Sequence, residues 1–172
     1  MKVAYGFSRG DGFVSDRIAD FGKMKTGECK WSHAFILIGD YIYEQQAEKG
    51  GVRKVHKSKY KDIPHILYYL PPVDEMNIIR ARTECKRQVK SVRGLYAFTH
   101  IPLMALDSIF KTFFWTRTFG ISNFKVCSEF MCWIDVKYIK SGIYTKWKGM
   151  SPDDAADHIE KYNLLTGTVN DV

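Results

Sequence analysis

Cys127 and His33 are the residues whose types and settings could do chemistry together. Cys127 stands in Lys125-Val126-Cys127-Ser128-Glu129-Phe130, where a short strand-like run breaks into a helix. A thiol at a helix start faces unpaired backbone amides and the positive end of the helix dipole, and both favour the thiolate. The same amides can hold a developing oxyanion, so one location can activate a nucleophile and stabilise a tetrahedral intermediate. His33 stands in Trp31-Ser32-His33-Ala34-Phe35-Ile36-Leu37-Ile38, at the mouth of an apolar strand where a polar ring is awkward unless it faces a cleft. A cysteine and an imidazole brought together make a sulfur nucleophile. Each residue alone has a plainer explanation, since cysteine is commonly buried and a lone histidine is usually a satisfied structural one.

A Cys-His pair works best when a third polar group fixes the imidazole tautomer. Glu44 is the natural candidate. A tight turn at Gly39-Asp40 would return Tyr41 to Gln45 antiparallel to the His33 strand and set a carboxylate beside the ring. Gln46 shares the Glu44 face, because strand side chains alternate, and offers an amide as the alternative third group. Ser128, Tyr96 and Gln46 are the candidates for contacting a substrate or an oxyanion. His56, His65, His100 and His158 fall in loops or on a polar helix face and receive no role.

The elements that must position these groups are readable in outline. Val3 to Phe7 reads as a strand, and Ser15 or Asp16 as the cap of a short helix through Phe21. Ala34 to Ile38 is continuously apolar, as in a strand covered on both faces. Val52 to Val55 reads as an edge strand, and Ile66 to Leu70 as a further strand ended by Pro71-Pro72. Asp74 or Glu75 opens an amphipathic helix whose face would hold Ile78, Ile79, Arg82, Cys85, Val89 and Val92, with Gly94 as its stop. Tyr96 to Phe119 is aromatic but broken by Pro102, Asp107 and Lys111; it reads as a core-covering helix or an amphipathic lid, not a membrane span. Cys127 to Ile139 reads as one helix burying Phe130, Ile134 and Tyr138, with Gly142 after its end. Ser151-Pro152-Asp153-Asp154 is a helix start, and the last few residues read as loose.

A length of 172 residues fits one domain, residues 1 to 172, with a core that needs no staples. The four cysteines, Cys29, Cys85, Cys127 and Cys132, lack metal-site spacing, so no zinc and no cofactor is expected. Cys85 and Cys132 read as core thiols. The start of the chain is unlike a secretory signal, which points to cytoplasmic synthesis and reduced thiols. A net charge of +7 favours an anionic partner such as a cell-wall polymer or a membrane surface. The basic residues do not form a nucleic-acid motif, so nucleic acid is not expected as the partner. Oligomeric state is not encoded in any visible pattern.

Taken in order, these segments resemble the permuted papain-like cysteine hydrolases of the NlpC/P60 superfamily, specifically the YiiX-like group of bacteria and phages. The likeness rests on Ser32-His33-Ala34-Phe35-Ile36, on Tyr43-Glu44-Gln45 followed by Gly50-Gly51-Val52, on Gly94-Leu95-Tyr96, and on Cys127-Ser128-Glu129-Phe130. Histidine precedes cysteine, which is the permuted order. Gln45 stands where relatives commonly have alanine, and Ala97 where they often have a polar residue. The resemblance implies an α+β fold with a small antiparallel sheet packed on the nucleophile helix. It implies Cys127 as nucleophile, His33 as general base and then acid, and Glu44 as the residue orienting His33. Amide or ester cleavage follows, in a cell-wall peptide (peptidoglycan) or an acyl substrate, with phage encoding and virion association as the expected setting. The alternative is a non-catalytic binding or structural component of a phage particle or host-interaction complex that keeps the fold.

Overall fold

A computed structural model describes residues 1–9, 29–46, 51–90, 126–148 and 150–171. The expected helix ending at Phe21, the aromatic stretch from Tyr96 to Phe119, and the Gly94 stop lie outside the described residues. The architecture is α+β. Six antiparallel strands form one sheet: β1 (Val3–Ser8), β2 (His33–Ile38), β3 (Tyr41–Gln46), β4 (Gly51–His56), β5 (His65–Tyr69) and β6 (Thr166–Gly167), in the order β4-β3-β2-β1-β5-β6. Three α-helices accompany it among the described residues: α1 (Glu75–Val89), α2 (Cys127–Ile134) and α3 (Pro152–Glu160).

The continuous apolar run of β2 has the cause inferred from it, because both faces of the sheet are covered. Val3, Tyr5, Phe7, Ala34, Ile36 and Ile38 join α1, α2 and α3 in the larger core. On the opposite face Ala4, Phe35, Leu37, Ile42 and Leu67 form a second core with Tyr60 and Val169, which come from two 3-10 turns, Lys57–Tyr60 and Val169–Asp171. Alternation along each strand thus assigns residues to two cores, and every β2 residue after His33 is buried. Gly39 turns β2 into β3 with φ of +62°, a conformation that glycine adopts without steric cost. At Gly6 the reason for glycine is space: a Cβ there would meet the Phe35 ring at 2.1 Å, so the aromatic ring of the neighbouring strand lies directly on the backbone of β1.

Four expectations need correction. In α1, Asp74 caps the helix as anticipated, but the buried positions are Ile78, Ala81, Glu84, Cys85 and Gln88, while Ile79 and Val89 are exposed. The face is rotated because Glu84 is satisfied within the helix: its carboxylate accepts from Arg87 Nε and Nη2, both at 2.8 Å, and from Gln88 Nε2 at 2.6 Å. The helix expected from Cys127 to Ile139 is α-helical only to Ile134 and continues as a π-helical turn over Asp135–Ile139. Its stop is Lys140, in the left-handed region with φ of 56°. Fully buried Asp135 fixes that ending by accepting the backbone N–H groups of Ser141 and Tyr144, both at 3.1 Å.

The chain end, expected to be loose, is fastened. His65 donates from Nδ1 to the Ile63 carbonyl at 2.6 Å and accepts the Val169 N–H on Nε2 at 2.9 Å. His158, expected on a polar helix face, instead stacks on Tyr144 at 5.4 Å and bonds the Ile143 carbonyl at 2.6 Å. Both histidines are structural. The start of α3 carries the expected cap, with Ser151 Oγ accepting the Asp154 N–H at 3.1 Å and Asp154 returning a bond to the Ser151 N–H at 3.0 Å. No helix among the described residues is long and apolar enough to cross a membrane.

Candidate active site

His33 is the first residue of β2, and the chain leading into it is held at three backbone amides. Ser32 N–H donates to the Ser8 carbonyl at 3.2 Å. Trp31 N–H donates to Asp153 Oδ1 at 2.6 Å, and Lys30 N–H lies 3.1 Å from both oxygens of the same carboxylate. Asp153 is buried at the start of α3, so a residue 120 positions later in sequence than His33 fixes the approach to the ring. A carboxylate is suited to this place because it accepts several amide donors at once and favours the positive helix end.

Glu44 meets His33 by register. Phe35 on β2 lies opposite Glu44 on β3, which sets Glu44 one alternation from His33 on the same sheet face. The His33 Nε2 to Glu44 Oε2 distance is 2.6 Å. Glu44 is fully buried, and its other contacts explain how a carboxylate survives there. Oε2 also accepts from Tyr60 Oη at 2.5 Å and Gln46 Nε2 at 3.2 Å, while Oε1 accepts from Arg53 Nε at 2.7 Å. Burial alone would raise the carboxyl pKa; the hydrogen bond and charge of His33, the Tyr60 hydroxyl and the Arg53 charge outweigh it and hold the group at about 2.

With Nε2 committed to Glu44, Nδ1 is the His33 nitrogen left for a second partner. The Cys127 thiol is close enough to the ring to act on it through charge and a hydrogen bond. Burial of the ring disfavours its protonated form, yet Cys127 and Glu44 together raise the His33 pKa to about 10. The ring is therefore charged at neutral pH beside the buried Glu44 carboxylate, with its side chain 14% exposed. The structure brings Cys127, His33 and Glu44 together.

Cys127 is the first residue of α2, and α2 packs against β2 and β3. Phe130, Met131, Cys132 and Ile134 bury its flank, so hydrophobic packing delivers the helix start to the mouth of β2. The first intrahelical bond runs from Phe130 N–H to the Val126 carbonyl at 2.9 Å, so the amides of Cys127 and Ser128 precede the helix's own hydrogen-bond ladder. Glu129 reaches back to the Val126 N–H at 3.2 Å, but valine has no acceptor with which to return the bond, so only half of a capping box is present.

The remaining expected site residues divide. The Ser128 hydroxyl is spent on the Met150 carbonyl at 2.5 Å, so its backbone N–H is what Ser128 can offer a substrate. The Gln46 amide sits on the Glu44 carboxylate rather than taking its place beside His33. Tyr96 lies outside the described residues. The other thiols are poor nucleophiles: burial and the neighbouring Asp153 push Cys29 up to about 12, and burial raises Cys85 and Cys132 as well.

Sequence reasoning missed Arg53, Tyr60 and Asp153. Arg53 lies directly opposite Glu44 in the β3–β4 register, so pairing β3 with the edge strand would have found it. Tyr60 comes from a 3-10 turn that has no periodicity to read. Asp153 was legible only as a helix-start acid, a role that does not show what else its carboxylate accepts. The arrangement can present a sulfur nucleophile beside a charged imidazole, at the amino-terminal turn of a helix. Compared with models of protein families and with curated proteins, the sequence matches none.

Proposed function

We propose that this chain is a cysteine-dependent hydrolase of permuted papain-like fold, similar to the YiiX-like group of the NlpC/P60 superfamily. One observation carries the reading: His33 is held at Nε2 by a buried carboxylate and interacts as well with a cysteine at a helix start. A buried His-Glu pair alone serves structure equally well; the added thiol is what selects nucleophilic chemistry.

The geometry supports a two-stage reaction. The Cys127 sulfur attacks a substrate carbonyl carbon, a C–S bond forms, and the carbonyl electron pair moves to oxygen, where the amides of the first α2 turn can receive it. The intermediate collapses, the bond to the amine or alcohol breaks, and the leaving group takes a proton from the His33 imidazolium. Water then gives a proton to His33 and adds to the acyl carbon. The C–S bond breaks, the acid departs, and the thiolate beside the imidazolium is restored. Glu44 stays ionised throughout and holds the ring in orientation.

Substrates of this reading are amides or esters, in cell-wall peptides or acyl groups. The net charge of +7 suits an anionic polymer or a membrane surface, and the aromatic sequence from Phe98 to Phe119 suits an acyl chain. The test is alkylation by iodoacetamide at neutral pH, read by peptide mass spectrometry. Cys127 should react far faster than Cys29, Cys85 and Cys132, and His33→Ala should slow it by roughly 100-fold or more. Equal, slow labelling of all four cysteines rejects the hydrolase and favours a binding or structural component of the same fold.

A further inference from the structure

We propose that Arg53 and Tyr60 are positioning residues that act on catalysis through Glu44, by holding its carboxylate fixed and ionised against His33. The role rests on the hydrolase reading above and adds two side chains that touch neither the sulfur nor the reacting carbonyl. Three features of the structure support it.

First, the two donors take complementary places. Arg53 Nε binds Oε1 at 2.7 Å, while Tyr60 Oη shares Oε2 with His33, so both oxygens are claimed and the carboxylate cannot rotate away from the ring without breaking a bond. Second, each donor comes from a different support. Arg53 faces Glu44 across the β3–β4 ladder, and Tyr60 is buried with its ring centroid 4.5 Å from that of Phe35, whose own ring lies over Gly6. Third, Glu44 is completely buried, so removing either donor leaves its carboxylate with one hydrogen-bond partner fewer in a site closed to solvent in the parent chain. Burial and the charge of Glu44 push the Tyr60 phenol well above its ordinary range, which keeps the hydroxyl a donor.

The ionisable groups facing this carboxylate are His33 from β2, Arg53 from β4 and Tyr60 from the turn after β4, with Cys127 beyond the imidazole. Gln46 is a neutral donor from β3 itself. Without the Arg53 cation or the Tyr60 hydrogen bond, proton uptake by Glu44 becomes easier. A protonated Glu44 no longer supports the His33 imidazolium, so the pairing that activates Cys127 is lost at higher pH than in the parent chain.

Tyr60→Phe removes only the hydroxyl and keeps the ring on Phe35; Arg53→Met removes the charge, and Arg53→Lys restores it without the guanidinium fork. Two readouts apply to each folded variant: carboxyl carbon NMR of labelled Glu44 against pH, and the pH dependence of Cys127 alkylation by iodoacetamide. The expected result is an upward shift of the Glu44 titration by roughly half a pH unit or more in Tyr60→Phe and Arg53→Met. The acid limb of alkylation should move in the same direction, with a smaller shift in Arg53→Lys. Selective wild-type labelling with an unmoved limb in Tyr60→Phe overturns the positioning role alone, whether or not the carboxyl titration moves. Unselective labelling of the wild type overturns the hydrolase reading and this role with it. Should Arg53→Met fail to fold, Tyr60→Phe decides the matter by itself.

Discussion

At the scale of single residues, the decisive feature is how many donors one buried carboxylate satisfies. Glu44 accepts from His33, Gln46, Arg53 and Tyr60, which is why it remains ionised although fully buried. Glu44→Gln keeps the shape but removes the charge, and the new amide hydrogens point at groups that themselves donate. The expected outcome is a loss of about 1–3 kcal/mol in urea unfolding, together with slower Cys127 alkylation. Unchanged stability would mean that the site repacks around an amide. Cys127, His33 and Glu44 were legible because thiol, imidazole and carboxylate announce their chemistry by type. Arg53 and Tyr60 were not, since an arginine on an edge strand and a tyrosine in a turn have many ordinary explanations.

At the scale of elements, the site depends on two contacts remote from the sulfur. Gly6 gives the Phe35 ring its place, and that ring supports Tyr60. Gly6→Ala would drive a methyl into the ring, with an expected cost of about 1–3 kcal/mol and a parallel fall in alkylation rate as Tyr60 shifts. Circular dichroism melting and labelling of the same variant read both effects. Asp153 joins α3 to the entry of β2, and Asp153→Ala would release the amides of Lys30 and Trp31. A loss of about 1–3 kcal/mol is expected, again with slower alkylation because His33 follows directly. Strand positions were legible from apolar runs and glycine turns. The face of α1 was not, because buried Glu84 and Gln88 satisfy each other in a way no hydrophobicity pattern records. The end of α2 was hidden similarly: Asp135 selects a π turn through backbone partners that lie beyond the helix.

At the scale of the whole molecule, stability should carry the signature of the site in its pH dependence. The Glu44 pKa is depressed from 4.5 to about 2, so its contribution is complete above about 4.5 and fades as the pH falls toward 2. The His33 pKa is raised from 6.5 to about 10, so its contribution is complete below about 6.5 and is lost as the pH rises through 10. Urea unfolding across this range should give greatest stability between about pH 4.5 and 6.5. His33→Ala should flatten the alkaline side, and a persisting alkaline decline in that variant would place its origin in other groups. The α+β architecture was legible as separate strands and helices with one turn joining β2 to β3. The sheet order was less so, since β1 pairs with both β2 and β5, and β6 joins from the far end of the chain.

The clasp between Asp153 and the start of β2 also bears on when, on the proposed hydrolase reading, the thiol gains its reactivity. The carboxylate that secures Lys30 lies 123 residues later in the chain. During synthesis at about 5–20 residues per second, that interval lasts roughly 6–25 s. Throughout it the backbone leading into His33 lacks the acid that clasps it, and for most of it the imidazole lacks its sulfur partner. On the hydrolase reading proposed above, a chain still on the ribosome lacks the clasp that sets the entry of β2, and full reactivity awaits the docking of α3.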